Sequence, residues 1–207
     1  MLWWIVGTVV ALVLLYLAWT YNQLISLGKR ADGAWSDIDV QLKRRWDLVP
    51  SLVETVKGYA RHESSTLENV VQARSQATGA GTLAQRGESE RGLSTAVSRL
   101  FALVEAYPEL KASQNFQELQ KALADIENNV QYARRYYNAV VRDLNTLVQS
   151  FPSNLVAGAM GFSERSYFQL DEGERAAPRV EFGGADAGAG SEAAAQAPTS
   201  SKPAQTG

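Results

Sequence analysis

FQELQKALADIENNVQYARRYYNAVVRDLNTLVQSF, residues 116–151, carries the plainest structural signal in the chain. Its apolar stripe runs Phe116, Leu119, Leu123, Ile126, Val130, Ala133, Tyr137, Val140, Leu144, Leu147, Phe151, in steps that alternate 3 and 4. That alternation follows one face of an α-helix. At about 1.5 Å per residue it predicts a rod of roughly 50 Å, stopped at Phe151-Pro152. A face this long must be buried, so the predicted fold is all-α, an antiparallel up-and-down bundle of three long helices. A homo-oligomeric coiled coil would use the same stripe.

Upstream, Leu93, Ala96, Val97, Leu100, Val104 and Tyr107 predict a shorter helix over about 92–107, closed by Pro108. Residues 75–92 are polar and hold four glycines, which predicts a mobile loop. Before them the stripe Trp35, Ile38, Leu42, Trp46, Val49, Val53, Val56, Ala60 continues in phase across Pro50. We read one helix from the membrane to about Arg74, kinked at Pro50, with a true break as the alternative. Downstream, Ser153 is placed to cap a short helix over Asn154–Met160. The segment 171–207 has only Val180 and Phe182 as apolar side chains larger than alanine, a composition expected to be disordered.

LWWIVGTVVALVLLYLAW, residues 2–19, has no charged side chain. As a helix it spans roughly 27 Å, close to a hydrocarbon core. Trp3 and Trp4 at one end and Tyr16, Trp19 and Tyr21 at the other sit where aromatic belts meet headgroups. A cleaved signal peptide would want a positive start and small residues before the cut, and neither is present. The expectation is a lipid-embedded anchor over 1–20, a helical bundle over 21–170 and a tail over 171–207. With no helix breaker between Trp19 and Gly28, the anchor runs on as the first bundle helix. Lys29 and Arg30 on the C-terminal flank favour an outside N-terminus and a bundle in the cytoplasm.

The net charge of -2 gives no field for nucleic acid. The absence of cysteine removes disulfides, thiol catalysis and thiolate metal sites. His62, the single histidine, lies beside Glu63 without the second histidine of a zinc-hydrolase helix, so no metal and no cofactor is expected. Arg44, Arg45 and Asp47 surround Trp46 just before Pro50. They read as a solvated face with arginine stems over the indole, or as a docking patch. Arg134, Arg135, Tyr136, Tyr137 and Asn138 form a polar-aromatic cluster suited to tying helices together. Asn145, at the edge of the stripe, is placed to set register. No phosphate loop, nucleophile elbow or nucleotide fingerprint occurs, and no small-molecule substrate is evident.

QLKRRWDLVPSLVETVKGYARHE, residues 41–63 and including Tyr59, resembles the signature of the bacterial LemA family. So do ARRYYNAVVRDLN at 133–145 and FPSNLVAGAMGF at 151–162, with Tyr167-Phe168 close behind. Leu144-Asn145 departs from the aromatic-Asn pair of the pattern. The resemblance covers residues 1–170 or so and implies an up-and-down bundle on a single-pass anchor, with no catalytic mechanism attached. The function expected is a non-enzymatic scaffold or adaptor, with a protein partner or a second copy. The alternatives are membrane organisation or envelope stress response through self-assembly, and, last, an enzyme with an unrecognised site.

Overall fold

The computed structural model describes residues 1–169, and the expected disordered tail lies outside them. The described residues are helical, without strands: α1 Leu2–Lys57, α2 Ser64–Gly79, α3 Leu83–Val104, α4 Pro108–Lys111, α5 Gln114–Gln149 and α6 Ser153–Ala159. The all-α expectation holds. The apolar run and the first bundle helix are one continuous element of 56 residues.

α1 and α5 lie antiparallel and share the core in three successive blocks. Leu24 meets Leu144 at one end, together with Val156 and Ala157 of α6. Ala31, Ile38 and Leu42 pack in the middle with Ile126, Val130 and Val141. Val49, Leu52 and Val56 meet Phe116 and Leu123 at the far end, where α2 and α3 add Val70, Leu93 and Leu100. Each fully buried Leu or Val there contributes about 1.5–3 kcal/mol, which is what holds α5, polar on its other faces, to α1. The sequence LWWIVGTVVALVLLYLAW stays outside this core and is exposed almost throughout, long and apolar enough to cross a membrane.

Three boundaries differ from expectation. α1 continues past Pro50 and ends at Lys57, and a turn over Gly58–Glu63 separates it from α2, so there is no single helix to Arg74. Ala60 is buried as its stripe requires, but it reaches the core from the turn. Most of the expected loop is helix: Gln76–Gly79 close α2, and α3 opens at Leu83. Thr82 and Gln85 form a reciprocal capping box, with Gln85 N–H donating to Thr82 Oγ1 (3.2 Å) and Thr82 N–H to Gln85 Oε1 (3.1 Å). Ser153 is the first residue of α6 and does not cap it. Its hydroxyl instead donates back to the Leu147 carbonyl (2.7 Å), one of the free carbonyls at the end of α5, with the Ser150 carbonyl also near at 2.9 Å.

Candidate functional site

The polar groups of the bundle converge on Trp46, and Pro50 is the cause. Proline at position 50 has no N–H for the carbonyl four residues before it, which is that of Trp46. Arg74 of α2 supplies the missing donor, its Nε standing 2.7 Å from the Trp46 oxygen. Pro50 itself is exposed and leaves the helix continuous. The same tryptophan donates its indole N–H to Glu90 Oε1 of α3 at 2.5 Å. One residue of α1 is therefore tied to α2 through its backbone and to α3 through its side chain.

Arg45 completes the junction. It is 6 % exposed and not part of a solvated face, which corrects the sequence reading. Its guanidinium lies 3.5 Å from Glu90, 3.2 Å from Glu127 of α5 and 2.9 Å from Ser94 Oγ. A buried arginine costs several kcal/mol unless its donors are matched, and these three acceptors from two helices match them. Burial pushes the Glu90 carboxyl up from its ordinary 4.5, against the opposing pull of the Trp46 N–H and Arg45. With no surface of its own exposed, Glu90 has no route to a substrate and serves to fasten helices.

A second assembly sits nearer the apolar end. The chain leaves α6 as an extended strap, residues 162–169, that climbs back along α5. Asn145 and Asn138 each grip one strap residue by both backbone groups. Asn145 accepts from Arg165 N–H (2.9 Å) and donates to its carbonyl (2.9 Å), and Asn138 does the same with Phe168 (2.9 and 3.0 Å). The spacing explains the match: seven helical residues rise about 10 Å, and three extended residues cover about the same. Tyr137 O–H donates to Ser166 O at 3.1 Å, and burial raises its phenol pKa, with Arg165 opposing and Asp32 adding to the shift.

Phe168 is the anchor of the strap, 1 % exposed and edge-on to Trp35 with ring centroids 5.2 Å apart. Gly87 of α3 faces the strap so closely that a Cβ there would lie 2.6 Å from the Gln169 carbonyl oxygen. Arg165 pairs with Asp32 at 2.7 Å, and Arg86 pairs with Asp39 while lying over the Trp35 ring at 5.5 Å.

Of the other residues singled out from sequence, Arg44 and Asp47 are not drawn into the junction, and Tyr59 and His62 are exposed in the α1–α2 turn. His62 and Glu63 thus lie in the turn, outside α1 and α2. Arg134 is 8 % exposed and donates to Gln131 at 2.6 Å, whereas Arg135 points outward over Tyr132. Phe151 and Pro152 form the exposed corner between α5 and α6. Glu90, Glu127, Arg74 and Gly87 carry no sequence motif and were not anticipated. Among the described residues no three His, Asp or Glu side chains converge as metal ligands.

The surface feature attached to the junction is a cleft of about 390 Å³ between α3 and α5. Arg45, Ser94 and Glu127 form its polar part, and Val97, Phe101 and Leu123 its apolar part.

The pattern of the LemA family matches residues 34–182, a span that contains the junction and the strap and starts after the apolar run. Magnetosome protein MamQ 2 of Paramagnetospirillum magneticum is 23% identical over 175 residues, covering 72% of this chain and 64% of that protein. Magnetosome protein MamQ of Magnetospirillum gryphiswaldense is 23% identical over 174 residues, with the same coverage. Protein LemA of Metamycoplasma hominis is 27% identical over 161 residues, 74% of this chain and 71% of that one. The chain thus spans just under two thirds of the length of the magnetosome relatives. A family match over most of the chain, on the residues that build both assemblies, makes this protein a member of the LemA family.

Proposed function

We propose that the protein is a non-enzymatic, membrane-anchored scaffold or adaptor that holds a helical docking surface at a set orientation above a bacterial inner membrane. The observation that carries this is the continuity of α1, whose apolar first part lies outside the core while the remainder is the spine of the bundle. Arg45 and Glu90, both buried, are committed to each other at the junction, which supports a structural role for them. Lys29 and Arg30 follow the span and favour the bundle on the cytoplasmic side. The α3–α5 cleft is the docking surface, because it puts polar groups beside an apolar wall of Val97, Phe101 and Leu123.

Photo-crosslinkers at Ser98 and Gln120, in the cleft, and at Glu54, away from it, test this in native membranes. A single heterologous adduct at 98 and 120 but not at 54 is expected for an adaptor. A ladder of self-adducts would favour the second reading, membrane organisation by self-assembly. Monomer alone, both in crosslinking and after affinity purification from detergent, would overturn both readings.

A further inference from the structure

The 20 residues from Leu144 to Ser163 contain no charged side chain, although they include the end of α5, all of α6 and the turn between them. α1 likewise has no charged side chain before Lys29. These two uncharged stretches lie side by side. Leu24 packs with Leu144, Val156 and Ala157, and Tyr21 meets Phe162 with ring centroids 6.2 Å apart. The first charges on each segment then follow, Lys29, Arg30 and Asp32 on α1, Asp143 on α5 and Glu164 and Arg165 on the strap. The Asp32–Arg165 pair at 2.7 Å ties two of these segments.

Below these charges the α5–α6 corner reaches down the spanning segment. Pro152, Leu155 and Val156 form an apolar cleft of about 450 Å³ with Val9, Leu12 and Leu17. The seven steps from Leu12 to Trp19 rise about 10 Å, so the corner lies about that far inside the aromatic belt, the depth at which interfacial apolar faces bury themselves. Phe151 (81 %), Leu155 (65 %) and Met160 (59 %) all point outward at this level. In water such a cluster would be an unstable surface. It is continuous with the exposed apolar surface of the span itself.

We infer that the hairpin 144–163 is a second membrane-inserted element, dipping into one leaflet beside α1, with lipid acyl chains filling the cleft between them. This rests on the reading of residues 2–19 as a span. Residues 2–28, at about 1.5 Å each, cover roughly 40 Å, the thickness of a bilayer with its headgroups, which places the first charges of α1 at the water boundary. Part of the backbone at the end of α5 is served within the turn, Thr146 O by Ser150 N–H, Leu147 O by the Ser153 hydroxyl and Ser150 O by Asn154 N–H.

The chain has no cysteine, so single cysteines report without background. Leu155→Cys, Leu12→Cys and Tyr136→Cys are each labelled with a polarity-sensitive fluorophore in the full chain. They are reconstituted in phosphatidylcholine–phosphatidylglycerol vesicles and quenched by brominated acyl chains or by aqueous iodide. Bromolipid is expected to quench positions 155 and 12 alike, with iodide quenching at 155 at least about fivefold weaker than at 136. Iodide quenching at 155 equal to that at 136, with position 12 still quenched by bromolipid, overturns the inserted hairpin and leaves the span standing. Protection of 155 from both quenchers means that protein covers it, which overturns the assignment to lipid. Loss of bromolipid quenching at position 12 overturns the span and the hairpin together.

Discussion

If Arg74 stands in for the N–H that Pro50 lacks, the two positions must be energetically coupled although they lie on different helices. Arg74→Met keeps most of the stem and removes the donor. The Trp46 carbonyl then loses a charge-assisted bond, at a cost of about 1.5–3 kcal/mol. Pro50→Ala acts in the opposite direction. Alanine at this exposed position restores the in-helix donor and removes an interior-proline penalty of about 3 kcal/mol, of which about 1 is returned through the looser unfolded chain. The net expectation is a gain of about 2 kcal/mol. In the Pro50→Ala background the carbonyl already has its helix partner, so Arg74→Met should cost under about 1 kcal/mol, a coupling of about 1–2. Urea unfolding of the full chain in nonionic detergent, followed by far-UV ellipticity and tryptophan emission, measures all four corners of the cycle. Thermal midpoints should move by about 2–4 °C per kcal/mol. Equal costs of Arg74→Met in both backgrounds, within about 0.3 kcal/mol, would refute the substitution of one donor for the other.

The strap offers a second test: Asn138→Ala or Asn145→Ala each removes two backbone contacts. Exchange of the Arg165 and Phe168 amides should quicken by about ten- to a hundredfold, read by hydrogen-exchange mass spectrometry, while α5 stays protected. Gly87→Ala puts a methyl where the Gln169 carbonyl now sits, so the strap must shift; a loss of about 1–3 kcal/mol and a changed Trp35 environment are expected in unfolding and fluorescence. Glu90, buried among Arg45, Trp46, Glu127 and Arg86, has a folded pKa raised above 4.5, so its contribution to stability is full below that pH. That contribution is lost as pH climbs through the folded value, and Glu90→Gln should flatten this part of the stability–pH curve, measured by urea midpoints from pH 4 upward.

The long helix α5 was legible because its stripe holds without a fault over its whole length, and a buried face leaves few other solutions. The same logic misled at the end of α1. Val53, Val56 and Ala60 stay in phase, yet the helix stops at Lys57, because periodicity records which residues are buried and not whether a turn delivers them. The start of α3 carried its own signal in Thr82 and Gln85, but the four glycines spoke louder. One of those, Gly87, is there because another backbone passes against it. Asn138 and Asn145 stood out in sequence for their places near the stripe, and their seven-residue spacing is meaningful. Their partner is an extended strap whose hydrogen bonds come from side chains, and such a segment has no period to read. The burial of Arg45 depended on Glu90 and Glu127, 45 and 82 residues away along the chain, which local pattern cannot supply.

The continuity of α1 also makes the protein a lever. From Trp19 to Lys57 the helix is about 57 Å long. A change in bilayer thickness that alters the tilt of the span by about 10° therefore swings the far end of the bundle sideways by about 10 Å. A flexible tether would absorb that motion. Here α5, strapped along the same axis, moves with it, so the angle of the whole bundle follows the tilt of the apolar first part of α1.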